Sequence, residues 1–65
     1  MKYSMKQLTV ARMTGDIREC LKNGFTLKGV RNYLMKRFVN FDNDITTEEF
    51  EIVLNKEYDR LHGEG

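Results

Sequence analysis

Few side chains in this sequence can do covalent or metal chemistry. Cys20 is the only cysteine, His62 the only histidine and Ser4 the only serine. A hydroxyl or thiol nucleophile needs a base within hydrogen-bond reach, and none stands near Ser4. His62 falls near the C-terminal end of the last helical segment, where a cationic ring complements the carbonyl end of a helix. Cys20 lies on an apolar stripe and reads as a small core residue. A single thiol allows no intramolecular disulfide and no cysteine zinc cluster. The carboxylates after residue 47 fall on a helix face with no reason for perturbed acidity. The expectation is a non-enzymatic chain without cofactor or metal.

Oxygen ligands are concentrated in Phe41-Asp42-Asn43-Asp44-Ile45-Thr46-Thr47-Glu48-Glu49-Phe50. This stretch resembles the later half of an EF-hand loop with its exiting helix. An EF-hand requires ligands at loop positions 1, 3, 5 and 12 and glycine at position 6. With Glu49 at the last position, Asp42 and Asn40 fall on ligand positions. Phe38 then replaces the first carboxylate, and Asn43 stands where glycine belongs. The same residues form an Asx-rich turn followed by a helix cap, which is the expected reading.

The other candidate chemistry is recognition of nucleic acid. Residues 20–41 contain Lys22, Lys28, Arg31, Lys36 and Arg37 and no acidic residue. If Leu27 to about Val39 is a helix, Lys28, Arg31, Asn32 and Lys36 share the side opposite its apolar stripe. Ile17, Cys20, Leu21, Gly24, Phe25, Val30 and Leu34 have a spacing that resembles the DNA-binding helix–turn–helix superfamily over roughly residues 16–36. Glu19 and Asn23 depart from it at positions that are usually apolar. The resemblance implies a second helix in the major groove. Arg31 and Asn32 would then read base edges, and Lys28 and Lys36 would neutralise phosphate. A core hairpin with a solvated basic face gives the same spacing.

These residues must be positioned by helices. Val10, Met13, Ile17, Cys20 and Leu21 fall on one arc at 100° per residue. They predict a helix over Thr9 to Lys22, with Met5 and Leu8 off the arc. Ser4-x-x-Gln7 has the form of a capping box, so residues 1–8 read either as a helix extension or as an extended arm. Asn23-Gly24 is a stop signal. Thr26 caps the second helix, whose stripe is Leu27, Val30, Leu34 and Phe38, with Phe41 extending it. Asn40 to Asp44 is a turn. Thr46 or Thr47 caps a third helix with Phe50, Val53, Leu54, Tyr58 and Leu61 inward. Glu57 and Arg37 also fall on inward arcs, which either a pair between them or snorkelling of each to the rim explains. Phe25-Thr26, Leu34 and Phe38 recur twenty residues on as Ile45-Thr46, Leu54 and Tyr58; two similarly capped amphipathic helices produce this without duplication.

The fold expected is all-α: a small three-helix domain with a central helix-turn-helix-like hairpin, spanning 1–65 as one unit and frayed over 62–65. A chain of 65 residues buries only about 60% of its unfolded surface, so it gains from a partner. The composition contains no apolar run of membrane-spanning length and no polar-flanked leader pattern. With its lone thiol this points to the cytoplasm and away from membranes. Net charge is +1, yet residues 42–65 hold eight acidic against two basic side chains. The basic middle and acidic end either attract different partners or neutralise each other within the fold. Met1, Tyr3, Met5, Leu8, Met35 and Ile52 lie off the stripes as apolar surplus. They are the candidate protein interface, since Met and Tyr suit adaptable contacts. The expected function is a regulatory inhibitor or adaptor on a larger protein, docking through that surplus or through an acidic third helix. It is expected to be a homo-oligomer or to require a hetero-partner, with a DNA-binding regulator as the alternative.

Overall fold

A computed structural model describes residues 4–63. Three helices follow one another: α1 over Met5–Lys22, α2 over Leu27–Phe38 and α3 over Thr47–His62. At 1.5 Å per residue they are about 27, 18 and 24 Å long. The all-α architecture expected from the stripes is the one observed.

Each helix starts at a short polar side chain with extended backbone. Ser4 Oγ accepts from Gln7 N–H at 3.1 Å, while Gln7 Oε1 accepts from Ser4 N–H at 2.8 Å. This reciprocal pair satisfies two donors that the first turn would leave open. It settles the N-terminal alternative for residues 5–8, which are helix and not an extended arm. Residues 1–3 and 64–65 lie outside the described residues, so Met1, Tyr3 and the last two positions of the expected frayed end are not placed. Thr26 Oγ1 accepts from Gly29 N–H at 3.0 Å and starts α2. Thr46 Oγ1 accepts from Glu49 N–H at 3.1 Å, and Glu49 Oε1 returns the bond to Thr46 N–H at 2.9 Å.

The connection after α1 is tight. Phe25 N–H donates to Cys20 O at 3.0 Å, and Gly24 N–H to Leu21 O at 3.1 Å. These are the two bonds of a Schellman close, which needs a left-handed residue between them. Gly24 supplies it at φ +95°. The α2–α3 turn is closed by amides. Asn43 Nδ2 donates to the Arg37 and Phe38 carbonyls at 3.3 and 3.2 Å, and Asn40 Oδ1 accepts from Asn43 N–H at 2.9 Å. Asp44 takes φ +54°, a conformation its short polar side chain tolerates better than most.

The core is a single cluster of Met13, Ile17, Cys20, Leu21, Val30, Leu34, Phe38, Ile45, Phe50 and Leu54. The arcs read from the sequence account for all of these except Ile45, which lies on no arc, between the turn and the third helix cap. Ile45 precedes the Thr46 cap, and Phe50 is the fourth residue of α3. Those are the two positions of a hydrophobic staple, and both are buried. Two other assignments change. Phe41 does not extend the α2 stripe; it is 100% exposed, because the Asn43 amide ends α2 at Phe38. Leu61 is 45% exposed, at the edge of a groove it shares with Arg18, Leu21 and Lys22 of α1.

Ion pairs show how the helices are laid. Lys6 Nζ meets Glu49 Oε2 at 2.9 Å, and Arg18 Nε meets Glu57 Oε1 at 2.9 Å. The pairs occur in the same order along both helices, so α1 and α3 run in the same sense and α2 returns across them. The start of α1 therefore stands beside the α2–α3 turn.

Candidate functional site

The side chains named from the sequence do not form one site. Most divide between the outward face of α2 and the end of the bundle where α1 and α3 begin, with Arg31, Met35 and Ile52 apart from both.

On α2, Lys28, Asn32 and Lys36 are exposed and recur every fourth residue, so they line one side of the helix. Arg31 is not with them. Its Nε donates to Glu51 Oε2 at 2.6 Å and its Nη2 to Glu51 Oε1 at 3.0 Å. This two-point pairing with α3 raises the Arg31 pKa and fixes the planar guanidinium. The reason is angular: Arg31 sits one position past Val30 on the flank that faces α3, while Asn32 is a further 100° round. Tyr33 is 60% exposed and packs on Phe25 with ring centroids 5.7 Å apart. On the far side of Tyr33, the groove toward α1 is lined by Asp16, Glu19 and Arg37.

At the end where α1 begins, Met5 is 78% and Leu8 52% exposed. Lys6, on the inner side of the same turn, has its amine held by Glu49 and also feels the Asp44 carboxylate. Fully exposed Phe41 is carried by the turn at this same end, above half-buried Val39 and buried Ile45. Ile52, 59% exposed, is isolated on the outer side of α3 among Glu48, Asn55, Lys56 and Asp59. Met35 does not belong to the surface set: it is half-buried against the core, because α2 turns that flank toward α3.

The acidic third helix is largely neutralised within the fold. Glu49, Glu51 and Glu57 are bound to Lys6, Arg31 and Arg18. In place of a Glu57–Arg37 pair the fold has Glu57–Arg18: Glu57 leaves the side of α3 that faces α2 and points along α1. Arg18 donates two bonds, at 2.9 and 3.4 Å, to a carboxylate that is only 5% exposed. That contact holds the Glu57 carboxyl below its ordinary range against the opposing effect of burial. Glu49 is lowered first by the Thr46 backbone N–H and then by Lys6.

The reactive side chains are otherwise engaged. Ser4 Oγ caps α1. The Cys20 thiol is buried, and burial followed by the charges of Asp16 and Glu19 pushes its pKa up, away from the reactive thiolate. The His62 ring packs on Tyr58 at 4.4 Å in the last turn of α3. A groove of about 220 Å³ between the ends of α1 and α3 is lined by Arg18, Leu21, Lys22, Glu57, Arg60 and Leu61. Among the described residues, no group of three or more His, Cys, Asp or Glu side chains is placed to hold a metal, and no helix is long and apolar enough to cross a membrane. Compared with known protein families, with curated proteins and with solved structures, the chain matches none.

Proposed function

We propose that the protein is a small regulatory binding module that docks onto a larger protein through the end of the bundle carrying Met5, Leu8 and Phe41. The observation that carries this reading is Phe41. A turn phenylalanine with its whole surface in water forgoes about 1.5–3 kcal/mol of burial. It lies at the same end as a 78% exposed methionine and a 52% exposed leucine. Single exposed apolar residues are ordinary, but three at one end of a small bundle supply apolar area of the kind an interface core uses. Ile52, surrounded by polar side chains, is not part of it, and α3 supplies little free acidity for a charge-driven contact.

The alternative reading, a duplex-reading α2, retains Lys28, Asn32 and Lys36 but loses to Glu51 the arginine suited to guanine edges. The two readings separate in affinity capture from the native host with nuclease present, using the wild-type chain beside Phe41→Ser. The expected result is a nuclease-resistant partner held by wild type and lost by the variant, with the two melting temperatures alike. A partner released by nuclease, or one indifferent to Phe41, would overturn the protein-docking reading.

A further inference from the structure

The outward face of α2 is not accounted for by docking at the other end. Lys28 and Lys36 are exposed, and among the described residues neither has a carboxylate within ion-pair distance. This contrasts with Lys6, Arg18 and Arg31, each held by a glutamate of α3. The two lysines are eight residue steps apart along the helix, a rise of about 12 Å, with exposed Asn32 midway. The helix contributes no carboxylate of its own. Its surface is therefore a cationic strip that the fold leaves uncompensated.

An aromatic platform adjoins the strip. Tyr33 is 60% and Phe25 38% exposed, with the rings tilted at 52°. Phe25 is itself anchored, because its N–H closes the α1 turn on Cys20 O. Gly29 lies one turn before Tyr33, where any Cβ would come within 3.3 Å of Thr26 Oγ1 and 3.6 Å of the Phe25 ring. The absence of a side chain there keeps the approach between Lys28 and Tyr33 open. Asp16 and Glu19 mark the limit of the favourable surface on the α1 side, so a polyanion follows the lysines and does not enter the groove.

We propose that this face binds a single nucleic-acid strand, with Lys28 and Lys36 against phosphates, Tyr33 stacked on an unpaired base and Asn32 within reach of base or sugar. The occupant follows from the chemistry. Unpaired lysines call for a polyanion. An exposed ring beside them is of use to an unstacked base, which every single strand offers and an intact duplex does not. The arginine that would favour duplex reading is withdrawn to Glu51.

The test is fluorescence anisotropy with the full chain and a labelled oligothymidylate of about 15 nucleotides, alongside a duplex of equal length, from about 20 to 200 mM salt. The expected result is tighter binding to the single strand, with a log–log salt slope near −1.4 for two phosphate contacts. Replacing both lysines by alanine should flatten that slope. Tyr33→Leu should weaken the single-strand complex about 5- to 100-fold at every salt concentration with the slope unchanged, and Tyr33→Phe should restore it. Circular dichroism melts establish that each variant is folded. Phe41→Ser should leave this binding intact, which keeps the result independent of the protein-docking reading. No binding at the lowest salt, a complex indifferent to Tyr33→Leu, or equal affinity for duplex would overturn the proposal.

Discussion

Arg18 reaches from the flank of α1 to Glu57 of α3, with Nε 2.9 Å from Oε1. The carboxylate is 5% exposed while the arginine side chain keeps 45% of its surface in water. Removing the arginine would leave a buried acceptor without its partner. Arg18→Ala is therefore expected to lower both the melting temperature and the urea midpoint. Arg18→Ala combined with Glu57→Leu should recover most of that loss, because an apolar residue needs no partner there. Urea unfolding of the single and double variants reads the difference. A double variant no more stable than Arg18→Ala would show that the carboxylate is not what the arginine serves.

Acid should weaken the fold through the same carboxylates. Glu57 and Glu49 titrate lower in the folded chain than in the unfolded one. The unfolded state thus takes up protons first, as pH falls through the ordinary glutamate value of about 4.3. The stability these groups contribute is complete above that value, declines below it and is gone beneath their lowered folded values. Lys6, Arg18 and Arg31 are shifted upward, so their contribution is lost only in strong alkali. Urea midpoints should be level from about pH 7 to pH 5 and drop by pH 3. Glu57→Leu should show a shallower drop, and an unchanged drop would remove Glu57 as its source.

Two glycines should respond oppositely to alanine. Gly24 holds φ +95° between the two bonds that close α1, a conformation a Cβ opposes by roughly 1–2 kcal/mol. Gly15 lies inside α1, and a Cβ there meets nothing within 4 Å. Gly15→Ala should stabilise by up to about 1 kcal/mol through helix propensity. Thermal melts of the two variants should move to opposite sides of wild type.

The Asx-rich turn should prove to be a cap and not a calcium loop. The Asn43 amide occupies the carbonyls of Arg37 and Phe38, so Asn43→Ala should cost about 1 kcal/mol. Millimolar calcium should leave the wild-type melt where it was. A calcium-dependent rise in melting temperature, abolished by Glu49→Gln, would restore the metal reading.

What the sequence by itself determined is local. The helix start at Thr26, the stop at Asn23-Gly24 and the stripes from Met13 to Leu21 and from Val30 to Phe38 are written in neighbours three or four residues apart, which leave the first helix start open between Ser4 and an extended arm and the third between Thr46 and Thr47. Capping bonds and helical faces have that reach. The staple at Ile45 and Phe50 has the same reach, one residue before the Thr46 cap and four after it. The tertiary structure alone decided which flank of each helix meets which neighbour. Arg31 lies on a basic helix face by spacing, yet an arginine arm on the α3 side finds Glu51, and the face loses its guanidinium. Glu57 lies on an inward arc by spacing, but α1 and α3 run in the same sense and bring it Arg18 in place of Arg37. The order and direction in which helices pack depend on contacts between residues twenty to forty apart, and periodicity within one helix carries no record of them. For that reason the lysines of α2 and the ring of Phe41 emerge as free surface only once the charges and apolar groups around them have found their partners.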